Sequence, residues 1–358
     1  MNTAKKLVFL FIILVLLSSC NTVAPRELSS VSNNIILLFP DEAAQVELKR
    51  DGWEQYVKVS FGTIISITDL IKSDGAGVVL CPDLSIRPIP TRGRAPCDVN
   101  KGWLKYNNYE FGSQRGYIAQ EIPYIIYPRS SSILTFEPSL YWHDTGASSY
   151  TVSIRKDGKS IWENKSISGN YFQYPLSGPD LITAEDYLLI VTDNDTGRSS
   201  NEDPAKGLGF EVPEQGVLKL VEQRQSEIMS LEDLSIPARK LTLAIYYANV
   251  DISPNRRLLG ESWVLLDEIK ESLNEPIVYY QLGNVYSSLS LNENAITAYE
   301  NAYILAKQRE EKEIQALSSS HLWRLTGSKI YLDESVYIYE QIGDQEKVQI
   351  LKNGGYLK

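Results

Sequence analysis

Histidine, cysteine and methionine are scarce in this sequence, whose 358 residues include two histidines, three cysteines and two methionines. The histidines, His143 and His321, fall in different predicted domains, so a metal centre or a catalytic triad shared between them is not expected. The sequence also lacks the Gly-x-Ser-x-Gly and His-Glu-x-x-His motifs of common hydrolases. Although a novel catalytic site would carry no such motif, we predict a protein that is not an enzyme and that needs no cofactor.

Paired carboxylates are present at Asp193 and Asp195, on either side of Asn194. Oxygen donors of this kind can bind calcium. The spacing lacks the glycine and the distal glutamate of an EF-hand loop, however, and the segment has the composition of a turn. We therefore predict a solvated turn and no metal site.

Basic residues are outnumbered by acidic ones. The sequence has 35 lysines and arginines and 45 aspartates and glutamates, so the formal net charge is −10. No run of basic residues offsets this balance, and binding to nucleic acid depends on neutralising phosphates. Nucleic acid is therefore not an expected partner. A hydrophobic content of 43% and a charged content of 22% are typical of globular protein, and the length suggests two or three domains.

The N-terminal apolar run, Leu7 to Leu17, is too short to span a membrane, since it has eleven residues where a transmembrane helix needs ~20. Lys5 and Lys6 precede this run, and the small residues Ser18-Ser19 lead to Cys20. A charged start, an apolar stretch and small residues before a cleavage site are typical of a secretory signal peptide. We assign residues 1–19 to a signal peptide.

The small residues before Cys20 resemble the lipobox of bacterial lipoproteins. The resemblance implies that the Cys20 thiol receives a diacylglycerol, that the chain is cut before it, and that its new amino group is acylated. Several acyl chains anchor a protein stably, whereas a single chain binds weakly. Asn21, by resemblance to Gram-negative sorting rules, favours the outer membrane of the bacterial envelope. The alternative is an ordinary signal peptide that happens to contain a cysteine.

The other two cysteines, Cys81 and Cys97, would meet an oxidising compartment after export. We expect a disulfide between them, which would close a short proline-containing loop. A metal site would need more ligands than the nearby sequence offers, and a free-thiol role is the remaining alternative.

The exported chain is divided by its patterns into a tether and three domains. Residues 20–40 begin with small and polar residues and are predicted to be a lipid-anchored tether. Residues 41–118 contain short strand-like segments separated by glycine and aspartate turns, which predicts a small all-β domain.

This first β domain resembles the FecR-type domain. The resemblance lies in Val46-Glu47-Leu48-Lys49-Arg50, Val59-Ser60-Phe61-Gly62-Thr63, Asp69-Leu70-Ile71 and Gly75-Ala76-Gly77-Val78-Val79-Leu80. FecR regulators relay a signal from a transporter to a sigma factor through a membrane helix. The sequence supplies no such helix, so signal relay would need a membrane-spanning partner.

Residues 119–213 are predicted to form a second β domain. Its strand candidates are Ile133–Phe136, Leu140–Trp142, Tyr150–Arg155, Ile161–Asn164 and Tyr187–Val191. Asp157-Gly158, between two of these runs, is a strong hairpin signal. The segment resembles a fibronectin type III or immunoglobulin-like sandwich, with Trp142 on its core tryptophan strand, and we expect that side chain to be buried.

Residues 214–358 are predicted to be helical, with the switch at Pro213. One stretch resembles a tetratricopeptide repeat at the signature positions Tyr279, Leu282, Gly283, Tyr286, Ala295, Tyr299 and Ala302. A weaker match follows at Tyr339, Gly343, Asp344 and Val348. Gly283 and Ala295 lack bulk, so the helices that carry them can approach closely, and neighbouring helices must stack on a single repeat to bury its face. The predicted fold is thus two small all-β domains followed by an all-α helical array.

The repeat resemblance implies a partner-binding concave face on the first helix of the repeat. Its predicted residues are Ile277, Tyr280, Asn284, Ser287 and Ser288. The alternative is that this face packs against the β domains of the same chain. Our leading hypothesis is a non-enzymatic envelope lipoprotein, attached to the membrane by lipid, that acts as an adaptor or scaffold for protein partners. A cell-wall or carbohydrate-binding protein that uses the β domains, and a FecR-like signal relay, are the alternative hypotheses.

Overall fold

The computed structural model describes residues 35–42, 44–97, 120–175, 177–205, 208–253, 256–355 and 357. In these residues a β-rich region, from Ile36 to Glu211, is followed by a helical array, from Gln215 to Lys352. The change from strands to helices falls at Pro213, as the sequence predicts. The predicted signal peptide, Cys20 and most of the predicted tether lie outside the described residues.

The first β unit covers residues 36–93 and consists, within the described residues, of two four-stranded antiparallel sheets. Its strands are β1 (Ile36–Pro40), β2 (Val46–Lys49), β3 (Val57–Val59), β4 (Thr63–Ile65), β5 (Leu70–Ser73), β6 (Gly77–Leu80), β7 (Ile86–Pro88) and β8 (Arg92–Gly93). The strand orders are β4-β1-β6-β7 and β3-β2-β5-β8. The predicted disulfide between Cys81 and Cys97 is confirmed, with a Cα–Cα distance of 5.4 Å.

The strand β1 is buried on both faces. Ile36 and Leu38 lie in the core between the two sheets, whereas Leu37 and Phe39 belong to a larger core outside the sheets. Successive side chains of a strand point to opposite faces, so an unbroken apolar run fits a strand that is covered on both sides. The predicted tether, residues 20–40, overlaps this strand, and the first β unit therefore begins at Ile36 and not at residue 41.

The second β unit is a two-sheet structure of residues 125–211. Its strands are β9 (Ile125–Tyr127), β10 (Ser131–Ser132), β11 (Ser139–Trp142), β12 (Tyr150–Lys156), β13 (Lys159–Ile167), β14 (Tyr171–Gln173), β15 (Asp186–Asp193) and β16 (Phe210–Glu211). One sheet has the order β10-β16-β15-β12-β13 and the other the order β14-β11-β9. Trp142 is fully buried, as predicted. The hairpin is also confirmed, with positive φ angles of 50° at Asp157 and 74° at Gly158.

One strand prediction in the second β unit is wrong. Ile133–Phe136 is not a strand, because the pairing ends after Ser132. The Ile133 N–H still donates to the Glu211 carbonyl at 3.0 Å, but the next amide, on Leu134, donates to the Glu261 carboxylate at 3.0 Å. A carboxylate from the helical array therefore ends the ladder, and a local sequence pattern cannot reveal such a long-range acceptor.

The helical array contains, among the described residues, eight α-helices that each pack on the next in sequence. They are α1 (Gln215–Met229), α2 (Ile236–Asn249), α3 (Leu259–Leu273), α4 (Pro276–Ser288), α5 (Asn292–Arg309), α6 (Lys312–Thr326), α7 (Lys329–Ile342) and α8 (Gln345–Lys352). A Cβ on Gly283 would lie 2.5 Å from the Tyr299 ring, so α4 and α5 make the close approach that the sequence predicts. Within the described part of the chain, no helix has the length and apolarity needed to cross a membrane.

A single hydrophobic core joins the two β units and the array. It contains Leu37 from the first β unit, Trp142 from the second and Leu241 from α2. The backbone of the first β unit closely approaches the helices at Gly62. The φ of Gly62 is +75°, and a Cβ there would lie 2.5 Å from a methyl group of Leu241 and 3.2 Å from one of Ile277. Only glycine fits both the backbone conformation and the space at this contact.

Polar contacts also fix the first β unit to the later helices. Arg50 donates to the carboxylates of Asp69 and Glu313, both at 2.8 Å. The Trp53 indole N–H donates to Asp344, in the turn between α7 and α8, at 2.8 Å. The first β unit therefore contacts α2 and α4 at one edge and the end of the array at another.

A buried carboxyl group lies at this contact. The Glu311 side chain is 2% exposed, and burial raises its pKa from an ordinary 4.5 to about 7. The nearby Ser60 hydroxyl opposes this shift, but neither carboxyl oxygen makes a hydrogen bond of normal geometry with the described residues. The folded chain therefore retains a proton that the unfolded chain has lost between about pH 4.5 and 7.

We expect this proton to make stability depend on pH. The contribution of Glu311 is fully present below about pH 4.5 and is lost as the pH rises to about 7, with a difference of up to ~3 kcal/mol in the free energy of unfolding. Glu311→Gln should remove this loss, whereas Glu310→Gln, at the exposed neighbouring position, should retain it. Urea unfolding at a series of pH values measures the effect, and equal pH slopes for the wild type and Glu311→Gln would contradict it.

Candidate functional site

Most residues of the predicted concave face are buried in the folded protein. Ile277, Tyr280, Asn284 and Ser287 are buried, and Ser288 is partly buried. Ile277 lies under Gly62 of the first β unit, as described above.

The polar groups of this face bond within the chain. The Tyr280 hydroxyl is 3.2 Å from His321 Nε2, and the Asn284 side-chain oxygen accepts from the Tyr299 hydroxyl at 2.8 Å. Burial lowers the pKa of His321 to about 3, so this imidazole is neutral at physiological pH. The arrangement favours the alternative that this face packs within the chain, and partner binding through these residues stays a prediction.

The hydroxyl groups at the C-terminal end of α4 are engaged in the same way. Arg324 donates to the Ser287 hydroxyl at 3.3 Å, and the Ser288 hydroxyl donates to the Asn284 carbonyl at 2.9 Å. A ligand on this face would have to displace these bonds.

The paired carboxylates Asp193 and Asp195 lie in a turn, and both accept hydrogen bonds from nearby residues. Asp193 accepts from the backbone N–H groups of Asp195 and Thr196, both at 2.9 Å, and Asp195 accepts from the Ser148 hydroxyl at 2.6 Å. The hydroxyl and backbone N–H of Ser148 lower the pKa of the Asp195 carboxyl. No cluster of three or more histidine, cysteine, aspartate or glutamate side chains suited to a metal occurs in the described residues.

A cleft of about 680 Å³ opens where the second β unit meets α3, α4 and α5, and we call it the junction cleft. Gln120 and Tyr124, just before β9, and His143, just after β11, form what we call its β wall. Sites at the boundary of two packed units are common places for ligand binding. Among the described residues, the junction cleft is therefore our candidate for a functional surface.

One long wall of the cleft is a stripe along α5. Its lining residues are Glu293, Asn294, Thr297, Ala298, Asn301, Ile304, Leu305 and Gln308. Their spacing of three and four residues places them on a single helical face. The amides of Asn294, Asn301 and Gln308 are seven residues apart, or two helical turns, which is about 10.5 Å.

The facing wall comes from α4 and the end of α3. Tyr279, Leu282 and Tyr286 line the cleft from α4, and Glu271 of α3 and Asn274, the residue just after α3, also line it. The Tyr286 hydroxyl accepts from the Trp263 indole at 2.8 Å, which fixes the ring. Arg309 donates to the Asn274 carbonyl at 3.0 Å, so the C-terminal ends of α3 and α5 lie side by side at one end of the cleft.

The other end of the cleft is built by the second β unit. The Tyr124 hydroxyl donates to the Asn294 side-chain oxygen at 3.2 Å, and the Tyr124 ring stacks on His143 with 4.6 Å between the centroids. His143 Nε2 lies 3.1 Å from the Gln120 carbonyl, and burial lowers the pKa of His143. The imidazole is therefore neutral at physiological pH, and it lines the cleft as an uncharged ring.

The charges of the cleft are mainly negative. Lys270 bonds to Asp267 at 2.6 Å, whereas Glu271 and Glu293 make no ion pair with the described residues. The lining offers amides, rings, apolar side chains and two carboxylates. Among the described residues that line the cleft, there is no cysteine or serine.

The cleft is not evident from the sequence pattern. The seven-residue spacing of Asn294, Asn301 and Gln308 is visible in the sequence, but on a helix surface it resembles any solvated face. The second wall comes from a β unit that is distant in sequence, and only the tertiary contact joins them. A scan against models of known protein families finds no match to the chain, and a search of curated proteins finds none either.

A buried ion pair holds the β wall against the array. Arg129 donates to Asp203 at 2.6 Å, with both side chains fully buried, and to the Leu289 carbonyl at 2.7 Å in the turn between α4 and α5. A buried charge that loses its partner is strongly destabilising. This pair therefore sets the position of the second β unit relative to the cleft.

We expect Asp203→Ala to lower the free energy of unfolding by ~3–5 kcal/mol, because Arg129 would remain buried without its counter-ion. Asp333→Ala is the matched control, since it removes an exposed i, i+4 pair with Lys329 and should have little effect. Urea unfolding of the two variants measures the difference. Similar losses in both variants would show that the buried pair does not fix the β wall.

Proposed function

We propose that the protein is a non-enzymatic lipoprotein of the bacterial envelope, and that it acts as an adaptor or scaffold for a protein partner. The chain would be anchored by lipid on Cys20, with an outer-membrane position favoured by Asn21. Beyond the anchor, the described residues would form a rigid body that presents its outer surface to the partner.

We further propose that the three units are related to known modules. The two-sheet arrangement of residues 36–93 supports a FecR-like domain, and that of residues 125–211 supports an immunoglobulin-like or fibronectin type III sandwich. The close contact of α4 with α5 at Gly283 and the stacking of successive helices support a tetratricopeptide-like array. Each of these modules commonly serves recognition, and fold alone does not name the ligand.

The observation that carries the adaptor proposal is the junction cleft. It lies where two units share one core, and its described walls bear amides, rings and carboxylates that can bind a partner. A rigid platform avoids part of the entropic cost of binding, since its surface is already ordered.

Carbohydrate binding is a second candidate because one aromatic ring is prominent on the second β unit. Tyr171 is 44% exposed, and its ring lies 4.8 Å from that of Tyr141. A ring face of this kind can stack on a sugar. It is a small platform compared with the cleft, so we rank this function second.

Photo-crosslinking in intact cells tests the adaptor proposal. A photoreactive amino acid would replace Asp51, Lys159, Asn301 or Gln349, which lie at exposed positions of the three units. The chain should incorporate labelled palmitate, Cys20→Ser should abolish this labelling, and at least one position should give a protease-sensitive product of higher mass. Absence of such a product at all four positions, together with sedimentation of the chain with purified cell wall, would contradict the adaptor proposal and support glycan binding.

A further inference from the structure

We propose that the junction cleft binds an extended, proline-containing peptide segment that carries basic side chains. This inference rests on the proposed adaptor function and names the chemistry of the partner at this site. The glycan alternative becomes an outcome of the test.

The length and chemistry of the α5 stripe favour an extended chain over a helix. From Asn294 to Gln308 the stripe covers fifteen residues, with a rise of about 21 Å between the first and the last. An extended peptide of about six or seven residues has this length. A docked helix would need a continuous apolar groove, whereas this wall alternates amides with the apolar pair Ile304 and Leu305.

Side-chain amides match a peptide backbone that has no internal hydrogen bonds. Each amide offers N–H donors and a carbonyl acceptor, as a peptide group does. Asn294 already accepts from Tyr124, so its N–H groups are those that we assign to the ligand. Asn301 and Gln308 are exposed along the same face and can use both groups.

The amide spacing selects the backbone conformation. Successive amides are about 10.5 Å apart on the helix. A polyproline II chain has three residues per turn and repeats every ~9.3 Å, so each turn presents the same face to the next amide. A β-strand has a period of two, and positions three residues apart would face opposite sides. The amide spacing therefore fits polyproline II better than β conformation.

The remaining walls fit the side chains of such a segment. Tyr279 and Tyr286 face the stripe, and Ile304 is 49% exposed although it is apolar. Aromatic-lined grooves bind proline-rich segments because the ligand is ordered before it binds. Rings and aliphatic groups at this spacing therefore suit proline and other apolar side chains.

The charges of the cleft predict which residues lie near the two ends of the peptide. Glu293 lies at the start of α5 and Glu271 near the end of α3, so the two carboxylates mark opposite ends of the cleft. The lining cation Lys270 is already bonded to Asp267. Lysine or arginine near each end of the peptide would be attracted, and acidic residues there would be repelled.

Selection of a random-peptide phage library on the immobilised mature chain, without lipid, tests the proposal. We expect enrichment of peptides that combine proline with lysine or arginine. The best peptide would then be synthesised with a fluorescent label, and its affinity measured by anisotropy. Failure to enrich any peptide, or enrichment of acidic peptides, would overturn the proposal.

Matched variants locate the binding. Asn301→Ala with Gln308→Ala should weaken binding of the selected peptide about 10-fold or more, since two amide contacts to the peptide would be lost. The control, Gln345→Ala with Gln349→Ala, removes two exposed amides of α8 and should leave the affinity unchanged. Equal affinity for both double variants would place binding outside the cleft.

A charge-reversal variant gives a readout that misfolding cannot mimic. Glu271→Lys with Glu293→Lys should weaken the selected basic peptide and improve the binding of its counterpart with glutamate at the basic positions. No change in this preference would contradict the assignment of the ends. If the peptide tests fail while crosslinks from Asp51, Lys159 or Gln349 persist, the cleft proposal falls and the adaptor proposal stands.

Discussion

The burial of β1 on both faces is the constraint on which the structure depends. Ile36 and Leu38 close the first β unit, and Leu37 and Phe39 join that unit to the core of the array. A strand with two buried faces cannot exist in an isolated sheet that exposes one side to water. The first β unit is therefore ordered together with the helices, and the hydrophobic effect acts across the boundary between the units.

This shared core decides which surfaces remain for binding. The inner face of α4 is covered, with Ile277 under the first β unit and Tyr280 beside His321. The outer face of α5 stays open, and the second β unit adds a wall to it through Arg129 and Tyr124. The same packing thus removes one groove and creates another.

Local features were predictable from the sequence, and long-range ones were not. The hairpin at Asp157 and Gly158 and the helix contact at Gly283 follow from nearby residues, because turn geometry and side-chain bulk act over short distances. The strand nature of β1 was missed because its continuous apolar run lacks alternation, and Ile133–Phe136 was diverted by Glu261. The junction cleft escaped prediction because its walls meet only in the folded chain.

Hydrogen exchange in increasing denaturant, read by mass spectrometry, tests the shared core most directly. Chains of this length that divide into separate domains lose structure in steps. The shared core predicts instead that amides of β1, β12 and α4 become exchangeable in one common transition at the same denaturant concentration. Loss of protection in β1 at a clearly lower concentration, with β12 and α4 still protected, would contradict the account.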